Sequence, residues 1–587
     1  MSNPQQKLNN SNTRTFFKGA FVLTIGMIFV KVCGLLQKIL LTNLYSTLGK
    51  GFGEFGSGLI SNAYELYVPL YTLATLGLPI AVSRMVSLYY AKGRYKDVRG
   101  IYKLVLPIFL LTGAVCTVLM IIGSFVYVRY IDSPYSTLSI IILSPTVFLG
   151  CLISLYRGYF EGLRNMTPTA LSEIIEAVAK IAIGVLLSYI VINVGVSEYT
   201  QKGTVFSLSF SDKDEAMRTL VSFSVGASVL GITVGCLLSF LYLRVRFAVK
   251  KGDIPLKLIE SSPDPISKRS MFSSVVGCAL PVGVGALVLS FANSADGAII
   301  NRILKNMVET NPEGIFLRYP ALESEIFDSK TAHTCIWGYY GACLTVLSII
   351  ISFSQVFGTA ALPNVTNAFA KGDKKALSSS VTTVIRLSCV FSLPCAVGLC
   401  VLSKPVLRLI FFANPNIAEY GTEVLQILSL ASVFIGICTP VSSMLQGIGK
   451  SKTTMLIYVI GTTFKVFLSY FFARNIDINI AGTAIGSLLS NMFMCVISMY
   501  CLLKSARISI DFKRLFLKPV AASIVCGVSA YVLFYLLSIN LIVSVVISAI
   551  IYIFVLLMLH TFSKDEINLL LNSKKIVIIL EKLHLLG

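Results

Sequence analysis

Residues 168–194 read PTALSEIIEAVAKIAIGVLLSYIVINV, an apolar run that also carries three charged side chains. A helix of about 20 apolar residues is long enough to cross the hydrocarbon core of a bilayer. Glu173, Glu176 and Lys180 follow the spacing i, i+3 and i+7, which places all three on one helical face. An ionised side chain at mid-depth costs roughly 2.5–3.5 kcal/mol or more. The segment therefore predicts a spanning helix whose charged face meets a polar cavity or charged partners.

Two interpretations of these charges stay open. Glu176 precedes Lys180 by four residues, which is the favourable order for an intrahelical ion pair. The charges would then neutralise each other and let the helix pack. Lys180 lies deeper in the span than Glu173, and for Lys180 we favour a position facing a cavity.

The same pattern of long apolar runs continues over the whole chain. Of the 587 residues, 55% are hydrophobic and 13% are charged, whereas soluble domains carry about 25% charged residues. The sequence therefore predicts an all-α polytopic membrane protein with about 14 transmembrane helices. The candidate spans are residues 16–43, 58–88, 101–128, 136–157, 168–194, 218–243, 271–300, 334–366, 381–403, 420–446, 453–474, 479–503, 515–537 and 541–562.

Basic residues concentrate in alternate connectors between these spans. AKGRYKDVRG (91–100), RVRFAVKKGDIPLK (244–257) and KSARISIDFKR (504–514) are rich in Lys and Arg, whereas 195–217 is poorer in them. Since basic connectors remain on the cytoplasmic side, this alternation predicts that both termini are cytoplasmic. The net charge of +21 is then explained by contact with anionic membrane lipids, and we do not expect nucleic-acid binding.

Two stretches of the chain resemble each other and predict an internal repeat. Residues 159–188 align with residues 444–473 at one offset, which sets Lys180 opposite Lys465. Duplicated bundles with a site at their interface are common among transporters, although a chance match of small residues and lysines is the alternative. The repeat predicts an N-terminal lobe at 1–255, a C-terminal lobe at 256–503, two further helices within 504–562 and a cytoplasmic amphipathic tail at 563–587.

Other charged residues lie in or beside predicted spans. Lys31 and Lys38 are two turns apart on the first span and share a face. Snorkelling towards the membrane surface explains one of them but not both, because Lys31 lies near mid-span. Asp296 and Arg302, near one end of the seventh span, either pair with each other or bind ions. Arg84, near the end of the second span, is a weaker candidate of the same kind.

The sequence lacks the motifs of catalytic or ATP-driven proteins. It contains no Walker A loop, no GxSxG and no HExxH, which are signatures of nucleotide binding, hydrolase nucleophiles and zinc proteases. The 14 cysteines show no CxxC spacing, and the three histidines are scattered. We therefore expect a protein that is not an enzyme, uses no cofactor and binds no metal.

Three segments resemble the MOP exporter superfamily, and within it the SpoVB-like and MurJ-like lipid-linked oligosaccharide flippases (polysaccharide biosynthesis proteins). They are KVCGLLQKILLTNLYSTLG (31–49), YVPLYTLATLGLPIAVSRMVSLYYAKGRYKDV (67–98) and EGLRNMTPTALSEIIEAVAKI (161–181). The resemblance covers nearly the whole chain. It implies the MATE/MurJ-like fold, with two six-helix lobes around a V-shaped central cavity and two additional C-terminal helices. It also implies alternating access without ATP hydrolysis in the bacterial cytoplasmic membrane.

The substrate that the resemblance implies is a saccharide linked to undecaprenyl pyrophosphate, for example the peptidoglycan precursor lipid II, and cell-wall synthesis proteins are possible partners. MurJ-like proteins place arginines around the cavity in their first two spans. This chain departs from that pattern with Lys31 and Lys38 in the first span, which leaves lipid II specificity open because lysine lacks the bidentate fork of arginine.

Three functions are compatible with these observations. The first is a flippase, with Lys31, Lys38, Arg84, Lys180 and Lys465 contacting the headgroup of the substrate and Glu173, Glu176 and Asp296 serving in ion coupling or in charge pairs that change between states. The second is a MATE-type cation-coupled drug exporter, which favours an acidic and aromatic cavity. The third is a scaffold for envelope or spore-coat assembly that does not transport.

Overall fold

A computed structural model describes residues 26–75, 77–163, 165–254, 256–260, 262–323, 329–508, 510–511, 513–559 and 561. In this part of the chain the secondary structure is almost entirely helical. A short antiparallel hairpin, in which Thr204–Val205 (β1) pairs with Leu208–Ser209 (β2), is the exception among the described residues. The predicted all-α class is therefore confirmed.

The chain divides into two compact units, of which the first covers Met1–Gly341. Its elements are α1 (Gly26–Leu48, ending in a 3-10 turn), α2 (Phe52–Thr75), α3 (Gly77–Ala91), α4 (Tyr95–Ile131), a 3-10 turn (Pro134–Ser136), α5 (Thr137–Gly162), α6 (Thr167–Lys202), the hairpin, α7 (Lys213–Val249), a 3-10 turn (Lys251–Asp253), α8 (Leu256–Glu260), α9 (Lys268–Thr310), α10 (Pro312–Arg318), α11 (Pro320–Glu323) and the beginning of α12 (Ser329–Ala370).

The second unit covers Ala342–Gly587. It contains the remainder of α12, followed by α13 (Lys374–Val401), α14 (Ser403–Ile410), α15 (Pro415–Gly447), α16 (Ser451–Ala473), α17 (Ile480–Ala506), α18 (Lys518–Tyr531) and α19 (Leu541–Met558). Two π-helical turns, Lys513–Leu517 and Val532–Leu536, flank α18.

Twelve helices in the described part of the chain are long and apolar enough to cross a membrane. They correspond to twelve of the fourteen predicted spans. The other two predicted spans, 58–88 and 271–300, fall on α2 with α3 and on α9, which are helical but lie outside this set of twelve. The predicted first span is described from residue 26 onwards, and the predicted tail at 563–587 lies outside the described residues.

The segments of the predicted repeat have the same local layout in the structure. In the first, α5 ends at Gly162 and α6 begins at Thr167; in the second, α15 ends at Gly447 and α16 begins at Ser451. Each is a helix, a short turn and a second helix that carries the aligned lysine. The layout is compatible with duplication, while the lobe boundary at residue 255 stays a prediction.

Glycines on α7 bring this helix close to α6 and so position the charged face of α6. A Cβ atom at Gly231 would collide with the backbone of Gly184 on α6, and one at Gly235 would lie 2.8 Å from the carbonyl oxygen of Glu176. Small residues of this kind let helices approach closely inside a membrane, where apolar burial offers little drive for association. The backbone of α6 next to Glu176 and Lys180 is therefore fixed against α7.

Candidate functional site

Three of the predicted lysines lie near one another in the first unit, and we call them the lysine cluster. Lys31 and Lys38 are on α1, and Lys180 is on α6. The ammonium group of Lys180 is close enough to interact electrostatically with both of the others. Three like charges in one place repel each other, so the cluster has a strong attraction for an anion.

The members of the lysine cluster differ in exposure and in partner. Lys31 is exposed, Lys180 is partly buried and Lys38 is buried. The Nζ atom of Lys38 donates a hydrogen bond to the backbone carbonyl of Ser57 at 3.2 Å. The Nζ atom of Lys180 donates to the Tyr64 hydroxyl at 3.1 Å and lies 5.7 Å from the centre of that ring. Both hydrogen-bond partners are uncharged, while the carboxylate of Glu176 interacts electrostatically with Lys180 from one turn earlier on α6.

The backbone of Lys180 is held between α1 and α7. The Nε2 atom of Gln37 on α1 donates to the Lys180 carbonyl at 3.3 Å. A Cβ atom at Gly231 on α7 would lie 3.2 Å from that same carbonyl oxygen. Because helices on both sides constrain this turn of α6, the direction in which Lys180 leaves the helix is fixed by packing.

A second charged group lies one turn earlier on α6, and we call it the arginine–glutamate cluster. Arg157, on α5, contacts Glu176 at 3.0 Å and Glu173 at 3.9 Å. The guanidinium also donates to the hydroxyls of Ser172 at 2.9 Å and Ser239 at 3.4 Å. All three side chains are partly buried, and one cation faces two carboxylates with additional hydrogen bonds, which is the arrangement that makes an ion pair away from bulk water tolerable.

This geometry corrects one interpretation of the sequence. The ion pair that the structure gives Glu176 is with Arg157, on the preceding helix, rather than with Lys180 four residues along. Sequence reasoning missed Arg157 because it stands at the last position of a predicted span, where an arginine usually reaches the membrane surface. The available signal was that two carboxylates on one helical face require a cation. No feature of the sequence indicated that Tyr64 would contact Lys180.

The remaining predicted site residues lie elsewhere. Arg84 is exposed on α3, and Lys465 is partly buried on α16 of the second unit. Asp296 is buried on α9, and its neighbour Gly297 packs on α2 so closely that a Cβ atom there would lie 2.6 Å from the Glu65 Oε1 atom. The predicted partner of Asp296, Arg302, donates to the backbone carbonyl of Tyr130 at 3.2 Å.

Polar side chains continue the contact between α2 and α9 beyond Asp296. The Nδ2 atom of Asn301 on α9 donates to the side-chain Oδ1 atom of Asn62 on α2 at 3.3 Å. The Nδ2 atom of Asn62 in turn donates to the hydroxyl of Ser136 at 3.2 Å. Two consecutive residues of α2 therefore contact different helices. Tyr64 contacts the lysine cluster, and Glu65 packs against α9.

An apolar groove of about 530 Å³ lies between α1 and α6, the two helices that carry the lysine cluster. Its residues occupy other faces of these helices than Lys38 and Lys180, because residues one or two positions apart on a helix do not share a face. A lipid chain is the kind of ligand that such a surface suits, because it offers apolar contact and almost no polar atoms. The groove is lined by Leu40, Leu44, Ile181, Ala182, Val185, Leu186 and Tyr189.

Within the residues that the structure describes, no group of three or more His, Cys, Asp or Glu side chains is arranged to hold a metal ion. The charged groups near α6 are instead three lysines that differ in exposure and an arginine–glutamate cluster in which one guanidinium faces two carboxylates. What this arrangement can do chemically is bind an anion and hold charge inside the membrane.

These features define a class, the polytopic helical membrane proteins with a cationic site between their helices. The sequence model of the family described as "Polysaccharide biosynthesis protein" matches residues 16–369, and the MatE model matches residues 338–471. The first match covers more than half of the chain. The protein belongs to the polysaccharide biosynthesis protein family, and its predicted membership of the MOP superfamily is confirmed.

Two curated proteins of Bacillus subtilis (strain 168) are similar to the chain over most of its length. The first, "Lipid II flippase MurJ", is 22% identical over 488 residues, which cover 81% of each protein. The second, "Stage V sporulation protein B", is 22% identical over 577 residues, which cover 94% of this chain and 97% of the relative. Both relationships extend across the two compact units.

Solved structures from two branches of the superfamily share this fold. The inward closed conformation of lipid II flippase MurJ superposes with a TM-score of 0.60 at 16% identity, covering 92% of this chain and 98% of MurJ. An inward-facing multidrug resistance MATE family transporter gives a TM-score of 0.56 at 14% identity, covering 83% of this chain and all of the MATE chain. At these identities the likeness is one of fold.

Proposed function

We propose that the protein is a flippase that moves a saccharide linked to undecaprenyl pyrophosphate across the bacterial cytoplasmic membrane by alternating access. The observation that carries the proposal is the convergence of Lys31, Lys38 and Lys180. A pyrophosphate headgroup cannot enter hydrocarbon unaided, because the loss of hydration around its charges costs many kcal/mol. Ammonium groups inside the membrane would replace part of that hydration.

The uncharged partners of the lysines support this role. Lys38 and Lys180 bond to a carbonyl and to a phenol. Hydrogen bonds between an ammonium and a phosphate oxygen are about twice as strong as bonds between neutral groups. An arriving phosphate would therefore displace these partners. Lys31, which is exposed, would meet the headgroup first, and the buried Lys38 would bind it most deeply.

The apolar groove between α1 and α6 supports a substrate that carries a lipid chain. The groove lies on the same two helices as the lysine cluster, but on other faces of them. The polyprenyl chain of the substrate would pack in this groove in contact with apolar surface, while its phosphate is bound by the lysines. The similarity to a protein named lipid II flippase points to the same substrate class. Lipid II itself is one member of that class.

Further residues complete the proposal. Lys465 and Arg84 would supply additional contacts to the headgroup. Glu173, Glu176 and Asp296 would take part in ion coupling or in charge pairs that rearrange between states. Both termini would lie in the cytoplasm, where the basic connectors place them, and cell-wall synthesis proteins would be the partners that supply or consume the saccharide.

A MATE-type drug exporter is the second candidate, because a MATE family model matches residues 338–471 and a MATE transporter shares the fold. An organic cation would need carboxylates and aromatic faces. In the first unit Glu173 and Glu176 of α6 are engaged by Arg157. The lysine cluster beside them would repel a cation, so the geometry favours the flippase.

Reconstitution of the full-length protein in liposomes separates the two candidates. Liposomes would contain a fluorescent undecaprenyl-pyrophosphate-linked saccharide, and a membrane-impermeant reagent would measure its movement between leaflets. We expect movement without ATP. Failure to move any lipid-linked saccharide, together with ion-driven efflux of a cationic dye in parallel liposomes, would replace the flippase by the drug exporter.

A further inference from the structure

Helix α4 has one long face whose exposed side chains are apolar. These side chains recur at intervals of three and four residues over about four turns, which is the spacing of a single helical face. No residue between 104 and 128 is charged. Apolar surface of this extent on a helix long enough to cross the bilayer faces the hydrocarbon chains of lipids. The exposed side chains of this face are Leu111, Val115, Val118, Leu119, Ile122, Phe125 and Val126.

A cavity of about 540 Å³ lies where this apolar face ends, and we call it the arginine cavity. From α4 it is lined by Phe125, Val126, Arg129 and Tyr130, and from α9 by Arg302. The four α4 residues follow the spacing i, i+1, i+4 and i+5, so Arg129 continues the same face as the two apolar residues before it. The arginine cavity therefore combines one guanidinium from each helix with the end of an apolar, lipid-facing surface.

The position of the arginine cavity along α4 corresponds to the membrane surface. The uncharged stretch 104–128 separates Lys103 from Arg129. At 1.5 Å per residue it is about 38 Å long, which is enough to cross a hydrocarbon core of about 30 Å. The beginning of α4 adjoins the basic connector 91–100, which the distribution of Lys and Arg assigns to the cytoplasm. Arg129 and Tyr130 are therefore expected at the opposite, outer surface, where tyrosine is a common residue.

Both arginines of the cavity have uncharged surroundings. Arg129 is exposed and, in the part of the chain that the structure describes, has no hydrogen-bond or ion-pair partner. Arg302 donates from Nη1 to the Tyr130 carbonyl at 3.2 Å, and its guanidinium lies 5.9 Å from the centre of the Tyr130 ring. These contacts orient Arg302 without neutralising it, and a guanidinium has five N–H donors. Arg302 therefore keeps its charge and further donors for a ligand.

The carboxylates next to the arginine cavity pair with a different cation. Asp132, directly after α4, lies 2.5 Å from the Nζ atom of Lys305 on α9, and Glu309 lies 3.4 Å from the same atom. None of the described residues that line the cavity is acidic. Its charge therefore suits an anion. Because an apolar face leads directly to the two arginines, the anion that fits best is one attached to a hydrocarbon chain.

We propose that the arginine cavity binds the phosphate of a phospholipid from the outer leaflet, whose acyl chain lies along the apolar face of α4. Guanidinium groups match phosphate oxygens with two parallel hydrogen bonds. Arg302 is held in place by Tyr130, and Arg129 would approach the phosphate from the other helix. Phe125 and Val126 would contact the first part of the acyl chain. This binding requires neither the lysine cluster nor a transported substrate, so it is independent of the proposed function.

Native mass spectrometry of the full-length protein in detergent, titrated with phosphatidylglycerol in the absence of transport substrate, tests this proposal. Arg129→Gln/Arg302→Gln should weaken binding at least about tenfold, and Arg129→Gln alone about fivefold. The single variant leaves the contact of Arg302 with Tyr130 intact. A matched control, Arg408→Gln/Arg474→Gln, removes two exposed arginines of the second unit. Each of them lies beyond the end of a helix that begins at a basic connector, as Arg129 lies at the end of α4. The control should change binding less than about twofold.

A second probe separates a phospholipid from a free phosphate. Glycerophosphate carries the phosphate group without acyl chains, and we expect it to bind at least about tenfold more weakly than phosphatidylglycerol, since it buries no apolar chain. Val126→Gln places an amide on the surface that would contact the acyl chain. This variant should weaken the binding of phosphatidylglycerol and leave that of glycerophosphate unchanged.

Four results would overturn the proposal. Equal losses in the double variant and in the control would assign the binding to surface charge in general. Glycerophosphate that binds as tightly as phosphatidylglycerol would assign the cavity to a free phosphate. If the double variant fails to fold, wild-type affinity in the folded Arg129→Gln protein would be decisive against the cavity. Loss of phosphatidylglycerol binding in folded Lys31→Gln/Lys38→Gln/Lys180→Gln protein would assign the lipid to the lysine cluster instead.

Discussion

The lysine cluster and the arginine–glutamate cluster lie one helical turn apart on α6, yet their charged side chains have different kinds of partner. Arg157 faces Glu176 at 3.0 Å and Glu173 at 3.9 Å, so it is neutralised by the protein itself. Lys38 and Lys180 donate their hydrogen bonds to a backbone carbonyl and to a phenol, and the Glu176 carboxylate interacts with Lys180 electrostatically without pairing with it. The charge of the hydrogen-bond partner therefore distinguishes a structural ion cluster from a candidate anion-binding site.

This difference has consequences for stability and for transport. Removing one partner of a buried ion pair leaves an uncompensated charge and costs about 3–5 kcal/mol. Removing a lysine whose hydrogen-bond partner is neutral leaves no buried charge without its ion-pair partner, and it also removes the cost of burying the ammonium group. Variants of the arginine–glutamate cluster should therefore affect folding first, and variants of the lysine cluster should affect transport first.

The largest expected effect is that of Arg157→Met. This change leaves Glu173 and Glu176 without their cation, and we expect a loss of about 3–5 kcal/mol in the free energy of unfolding. Thermal unfolding of the purified protein in detergent measures it. Arg269→Met, which removes an exposed arginine of α9, is the control. If both variants unfold at the same temperature, Arg157 is not the structural cation described here.

Removing the carboxylates together with the arginine should recover stability. In Arg157→Met/Glu173→Gln/Glu176→Gln no charge remains in the cluster, and replacing a buried ion cluster by neutral groups is often neutral or stabilising. We expect this triple variant to be more stable than Arg157→Met by about 1–4 kcal/mol. If the triple variant instead loses more stability than Arg157→Met, the effects of the three changes add up. The three side chains would then not act as one unit.

Gly231→Ala should have the next largest effect. The added methyl group collides with the backbone of Gly184, at the contact of α7 with the Lys180 turn of α6. Overpacking of this kind costs about 1–3 kcal/mol. Gly203→Ala, with nothing nearby but a positive φ of 69°, tests strain rather than collision. A Gly231→Ala protein as stable as wild type would contradict the fixed packing of α6 on α7.

The smallest effect on stability is expected from Tyr64→Phe. The ring stays in place, and the lost hydrogen bond to Lys180 is worth about 0.5–1.5 kcal/mol. Since the phenol competes with the substrate phosphate for Lys180 in our proposal, binding of a pyrophosphate lipid should be retained or slightly tightened. A large loss of that binding would show that Tyr64 contacts the substrate directly, rather than occupying Lys180 only until the phosphate binds.

Hydropathy predicted the helices well but not their lengths. The span predicted at 101–128 belongs to α4, which begins at Tyr95 and ends at Ile131. The length of an apolar run reflects the thickness of the hydrocarbon core. The backbone hydrogen bonds of the helix continue beyond that core, through charged residues at its surface. Lys96 and Arg99 belong to that extension and therefore lie outside the predicted span.

The candidate site was predicted only in part, for a related reason. Helical periodicity placed Lys31 with Lys38 on one face and singled out Lys180, and the structure brings these three close together. Periodicity within one helix does not reveal which neighbouring helix supplies a partner. For this reason the sequence left the intrahelical pair of Glu176 with Lys180 open, and only the packing of α5 on α6 revealed Arg157.

The account depends most directly on the lysine cluster, and one measurement tests it. Lys31→Gln, Lys38→Gln and Lys180→Gln would be combined in one variant. This variant would be compared with a control, Lys371→Gln/Lys374→Gln/Lys375→Gln, which removes three exposed lysines of a connector, in liposomes that contain a fluorescent undecaprenyl-pyrophosphate-linked saccharide. We predict that the cluster variant stays folded and moves the lipid at least about tenfold more slowly, since tenfold corresponds to about 1.4 kcal/mol of lost transition-state stabilisation. Translocation at the wild-type rate by the folded cluster variant would contradict the account.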